Sequence, residues 1–136
     1  MPVVVDSSVV LAWVLPDETS AAADRMLDQL SGSSDVIVVP RLWVQETANA
    51  IVTAVRRGRL TDAQAQRCVE LLAGLPVEFE PHPADQRSLV ATALRYGLSA
   101  SHATYLLLAE RTGSALASFD DRLTQAALAA GVPLLR

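Results

Sequence analysis

Five short apolar runs recur along the chain, none longer than five residues, with helix-length segments between them. They are Val3-Val4-Val5-Asp6, Val36 to Val39, the weaker Val77 to Glu80, Ala115 to Phe119, and Val132 to Leu135. Strands this short and this apolar suit a sheet buried on both faces, as parallel sheets are. Parallel neighbours in turn need a long crossover, usually a helix. The alternation therefore predicts an α/β fold of right-handed βαβ units around a central, mostly parallel sheet of four to five strands flanked by helices. With no linker, repeat or low-complexity tract, residues 1–136 read as a single domain.

The helical segments carry their own punctuation. Ser7 to Leu15 stops at Pro16, Thr19 to Leu30 at Ser31-Gly32, and Arg41 to Arg57 at Gly58. Thr61, with Gln64 three residues on, predicts a capping box for the helix that ends at Gly74. Pro83 to Tyr96 and Ser99 to Thr112 end at Gly97 and Gly113, the residue that best tolerates a left-handed helix stop. Asp121 to Ala130 supplies the last helix.

Several function classes are excluded or disfavoured by composition. Half the residues are apolar, yet no stretch reaches the roughly 20 needed to span a bilayer, and the N-terminal run is a poor signal peptide, so a soluble, cytoplasmic protein with no membrane partner is expected. Cys68 is alone, which rules out a disulfide framework or cysteine zinc cluster and leaves packing in a helix. Every side-chain cation is Arg; the absence of Lys removes P-loop and Schiff-base chemistry. The net charge of -4 does not advertise a nucleic-acid binder, but a divalent cation would offset clustered carboxylates locally.

Ligands in open parallel sheets bind beyond the carboxyl ends of the strands. Asp6 and Asp120 both sit at such ends, with Asp121 beside the second. Each alone reads first as a helix N-cap. Together on one sheet edge they repel unless a cation or proton joins them. Glu46 adds a third acid: with Asn49 and Thr53 it forms a polar line on a helix otherwise rich in apolar residues, either a solvated face or a groove against the sheet edge. His102 falls at the third position of its helix if Ser99 caps it, either as a capping-box stand-in or as a metal ligand.

With those residues in hand, the sequence resembles the PIN-domain ribonucleases of the VapC type, toxins of bacterial toxin–antitoxin pairs. "VVVDSSVVLAWVLPDE" resembles the family's first strand, catalytic Asp and following helix, and "VVPRLWVQETANAI" its strand and Glu-bearing helix. "LSASHATYLLLAERTGSALASFDDRL" resembles the segment with the last two acids, and "GVPLL" the closing strand. The resemblance implies a three-layer fold, catalytic Asp6, Glu46 and Asp120, and metal ligands at Asp6, Glu46, His102 and Asp120, with Asp121 able to turn in. Ser8, Asn49 and Ser118 match positions beside the site. His102 is the departure, because family members usually carry Asp there. An imidazole removes one negative charge and offers nitrogen, which suits Mn²⁺ better than Mg²⁺, so Mg²⁺ is expected to bind more weakly and Mn²⁺ could be preferred.

The implied activity is metal-assisted hydrolysis of tRNA or rRNA, which inhibits translation and is neutralised by a cognate antitoxin, in a chain that forms a homodimer. Arg56, Arg57 and Arg59 could position phosphates or simply complement a helix dipole; Trp13 and Trp43 could be core or partner anchors. Two rivals follow from the same residues. One is a catalytically weakened PIN-fold binding module, because of His102. The other is an aspartyl-phosphate enzyme using Asp6, disfavoured by the missing lysine.

Overall fold

The computed structural model describes residues 1–135. Its elements run β1 (Val3–Val5), α1 (Ser7–Val14), α2 (Ala21–Ser31), β2 (Ile37–Val39), α3 (Leu42–Arg56) and α4 (Asp62–Ala73). There follow β3 (Val77–Phe79), α5 (Gln86–Tyr96), α6 (Ala100–Thr112), β4 (Ala115–Ala117) and α7 (Asp121–Ala129). The four strands form one parallel sheet in the order β3-β2-β1-β4. No helix among the described residues is long and apolar enough to cross a membrane.

Strand alternation sorts the core into two layers. Val4, Val38 and Leu116 face one side and pack with Leu106, Leu108 and Leu123 of α6 and α7. Val3, Val5, Ile37, Val39 and Ala117 face the other and pack with Val9, Met26 and Trp43 of α1, α2 and α3. Period-two side-chain alternation in β1, β2 and β4, buried on both faces, thus produces the three layers; β3, at the sheet edge, departs from the expected burial and leaves Glu78 and Phe79 exposed. A smaller cluster, Leu15, Ile51, Ala54, Leu60 and Cys68, joins α3 and α4 to the end of α1.

The predicted caps are present where the chain signalled them. Thr61 and Gln64 form the reciprocal capping box of α4. Gly97 and Gly113 take left-handed backbone angles, φ 66° and 61°, that end α5 and α6. Other boundaries shift. The segment from Pro83 is not helical until Gln86, because the Asp85 side chain takes the Ser88 N–H and starts the helix there. Likewise, Ser20 rather than Thr19 opens α2. The fifth strand reduces to one bridge, Leu116 to Leu134. Pro133, between Val132 and Leu134, brings no N–H to a ladder, although its carbonyl accepts the Leu116 N–H.

The two tryptophans divide. Trp43 is core, packed edge-on against Phe79 at 6.2 Å, and Trp13 is half-buried, its indole N–H held by the Ala23 carbonyl at 2.8 Å. Cys68 is buried in α4, as its setting suggested.

Beyond the strand ends lie Asp6, Pro40, Glu80 and Ser118. Glu80 is buried there, and burial pushes its carboxyl above the usual range, against the Arg41 backbone N–H and the charges of Arg111 and Arg41. A raised folded-state value means that Glu80's contribution is full at acid pH and lost as pH rises through that value. Glu80→Gln, which keeps an acceptor but no titratable group, is therefore expected to gain on the parent as pH climbs toward neutral. Equal pH dependence in the two proteins would show that Glu80 does not contribute to it.

Candidate active site

Asp6 leaves β1 with its N–H on the Ala117 carbonyl at 2.9 Å, the last rung between β1 and β4. Its carbonyl starts α1 by accepting from Val9 and Val10. Its carboxylate, however, caps nothing. Instead Oδ2 accepts from Ser8 Oγ at 2.8 Å and Ser118 Oγ at 2.9 Å, and Oδ1 lies 3.5 Å from Ser7 Oγ. The side chain is 2% exposed. Two hydroxyls thus hold a buried carboxylate in one orientation, which offsets the cost of removing its charge from water.

Asp120 behaves differently. Its Oδ1 accepts from the Leu123 N–H at 2.9 Å and caps α7. The reading of each acid as a cap therefore holds for Asp120 and fails for Asp6. Ser118 links them: its hydroxyl donates to Asp6 and accepts the Asp120 N–H at 3.0 Å. That linkage also ends β4 at Ala117, short of Phe119.

Glu46 reaches the same edge from the second turn of α3. Its Oε1 accepts the Tyr105 hydroxyl at 2.5 Å. Burial raises its carboxyl most; the Tyr105 bond opposes that, the Asp6 charge adds to it, and His102 and Ser7 pull it down. Tyr105 itself is buried, and burial followed by the bond and charge of Glu46 pushes its hydroxyl far above the usual range, so it stays a donor. The sequence reading missed Tyr105. It lies three residues after His102, on the same side of α6, and a buried tyrosine hydroxyl needs a partner.

His102 is the third residue of α6, as anticipated: Ser99 Oγ accepts its backbone N–H at 3.1 Å. Its imidazole is not used to close a capping box. Nδ1 stands 3.6 Å from Asp120 Oδ1, just beyond hydrogen-bonding reach. Asp6, Ser8, Glu46, His102, Ser118 and Asp120 are thus brought to one edge by β1, α3, α6 and β4.

Other candidates lie outside that group. Of the polar line on α3 only Glu46 turns inward; Asn49 and Thr53 are exposed, because their side chains face away from the packed strip of Trp43, Thr47, Ile51 and Ala54. Asp121 is exposed at the start of α7. Arg59 is not free for phosphate: Asp17 holds it at 2.7 Å and Glu18 at 3.6 Å. Arg56 and Arg57 lie ten or more residues beyond Glu46, roughly 15 Å along the helix axis.

In kind, these donors fit an oxygen-preferring divalent cation. The charge of Asp6 helps hold the Glu46 carboxyl up, a repulsion that a cation relieves. The side chains do not converge: among the described residues no group of three or more His, Cys, Asp or Glu is placed to hold a metal ion. Glu46 is committed to Tyr105 and Asp120 to the α7 backbone.

Comparisons with known proteins agree with this architecture. Ribonuclease VapC3 of Pyrobaculum aerophilum is 29% identical over 127 residues, covering 92% of this chain and 94% of that protein. The crystal structure of PAE2754 from the same organism superposes with a TM-score of 0.70 at 21% identity, covering 93% of this chain and 84% of that one. FitAcB from Neisseria gonorrhoeae gives 0.67 at 15% identity, covering 98% and 96%. The PIN domain model matches residues 3–129, nearly the whole length, and the chain belongs to the PIN-domain family.

Proposed function

We propose that the chain is a divalent-metal-dependent endoribonuclease of the toxin class, acting in the cytoplasm on tRNA or rRNA to stop translation and neutralised by a cognate antitoxin. The observation that carries this reading is Asp6: a buried carboxylate that caps no helix, is fixed by two serines and bears on the charge of Glu46. The similarity to a protein named Ribonuclease VapC3 supports the reaction class. The resemblance adds a homodimer as the working form.

Asp6 and Glu46, with Asp120 and His102, would hold the cation, Mg²⁺ or Mn²⁺, only by drawing closer together than they stand here; it would supply an activated water and neutralise charge on the scissile phosphate. Ser8 and Ser118 fix the direction of the Asp6 oxygens, so no rotamer search accompanies the reaction. Tyr105 orients Glu46 and remains protonated, and Ser118 fixes the Asp6 carboxylate relative to the Asp120 backbone. In the hydrolysis itself the water oxygen bonds to phosphorus, the bond to the leaving ribose oxygen breaks, and that oxygen gains a proton.

A second reading, a weakened PIN-fold binding module, is favoured by His102 standing beside Asp120 where a carboxylate would complete the acidic set. Incubating the purified, antitoxin-free chain with mixed cellular RNA in EDTA, Mg²⁺ or Mn²⁺ separates the two. Cleavage is expected with a divalent ion, more with Mn²⁺, and none in EDTA. RNA binding without cleavage under any ion favours the second reading.

A further inference from the structure

Phe119 is one of two phenylalanines in the chain, and it lies between Asp120 and Ser118, the residue that ties Asp6 to Asp120. Its N–H donates to Ser8 Oγ at 3.1 Å, and Ser8 donates onward to Asp6. The next N–H, that of Asp120, is held by Ser118. The backbone on both sides of the ring is thereby fixed by the two hydroxyls that orient Asp6. The residue is 38% exposed, as is Phe79 elsewhere on the sheet, while Tyr105 and Trp43 are buried. It walls a cleft of about 490 Å³ together with Ser8, Leu11, Ala12 and the Asp17–Ser20 segment. That volume is within the roughly 300–1,000 Å³ of small-ligand clefts.

The acids of this cleft are not free charges. Arg59 takes Asp17 through two hydrogen bonds, at 2.7 Å and 3.2 Å, and lies near Glu18, so the rim does not simply repel a polyanion. Ser8 belongs both to the cleft wall and to the Asp6 hydrogen-bond set, so cleft and acid cluster are continuous. A part-exposed aromatic side chain on a fixed backbone, one residue from Asp120 of the acid cluster, has a specific use, because every nucleobase offers a π-face and an unpaired base stacks on such a ring.

We propose that Phe119 is the stacking platform for an unpaired nucleobase of an RNA strand lying across the acid cluster. This rests on the ribonuclease reading for what the neighbouring site does. Phe119 acts as a positioning residue: a stacked base sets where the backbone crosses the edge, and a duplex cannot present one. Recognition is thus of single-stranded RNA, with the cleft beside α1 receiving the base.

The test uses the full chain and a short single-stranded RNA of mixed sequence, with 2-aminopurine placed at each position in turn. Ca²⁺ replaces Mg²⁺ in the binding assay, offsetting the acids while activating water poorly; cleavage is then measured with Mn²⁺. Parent and Phe119→Trp are expected to bind alike and to change the fluorescence of one labelled position. Phe119→Ala is expected to bind roughly 10-fold more weakly and lose that change, raising KM far more than it lowers kcat, with an unaltered melting temperature. Duplex RNA is expected not to compete.

Phe119→Ala matching the parent in binding and KM overturns the proposal, and does so even where the parent cuts RNA well. A parent that fails to bind the strand overturns it too. Phe119-dependent binding and fluorescence without cleavage under any ion uphold the platform while the ribonuclease reading fails.

Discussion

Asp6→Asn is expected to lower RNA cleavage by about a thousandfold or more while the protein stays folded. Asn has the shape of Asp, and its Oδ1 can still accept from Ser8 and Ser118, so the bonds from α1 and from the end of β4 have a partner. What disappears is the charge. Groups that stabilise developing charge in a water-poor site are typically worth 10²–10³ in rate, and on the proposed reading, with Asp6 as a cation ligand, its effect belongs at the upper end. Stability should move the other way. Part of what raises the Glu46 carboxyl is the Asp6 charge, and removing that charge relieves the repulsion. Single-turnover cleavage beside a urea melt checks both halves. A variant that cuts within a few-fold of the parent would take Asp6 out of the chemistry, and one that fails to fold would mean its charge is structural.

That contrast between Asp6 and Asp120 also marks what the sequence could tell. Both acids follow a short apolar strand and precede a helix, so their local signals are the same. One caps and the other does not, because Ser8 and Ser118 compete for the Asp6 oxygens, and Ser118 is 112 residues away along the chain. Local physics was legible. The capping box of Thr61 and Gln64, the glycine stops of α5 and α6 and the buried β-branched strands each rest on neighbours a few residues apart. Contacts made only in three dimensions were not. Tyr105 meets Glu46 across 59 residues, and Arg59 meets Asp17 across 42, which turned an apparent phosphate contact into an ion pair. The missing fifth strand is an intermediate case: the apolar run was visible, and so was Pro133, whose lack of an N–H outweighed it.

His102→Asp is expected to raise Mg²⁺-supported cleavage on the order of 10- to 100-fold and to erase the parent's preference for Mn²⁺. His102 is already placed: Ser99 fixes the start of α6, and the imidazole reaches to 3.6 Å from Asp120. A carboxylate there adds one negative charge beside Asp120. A unit charge about 5 Å from a cation, at an effective dielectric near 20, contributes about 3 kcal/mol per charge of the ion before desolvation is counted, enough for the lower half of that range even if most is lost. The same charge has a cost when no ion is bound, because Asp120 and the new carboxylate repel. In EDTA the variant should therefore melt below the parent, and Mg²⁺ should raise its melting temperature more than it raises the parent's, since a ligand stabilises the state that binds it more tightly. The melting shift makes the prediction readable without any RNA. A variant that gains neither Mg²⁺-dependent stability nor activity would show that position 102 lies outside the cation's reach. His102 would then be a residue of the α6 N-terminus, and the acids that matter would be Asp6, Glu46 and Asp120 alone.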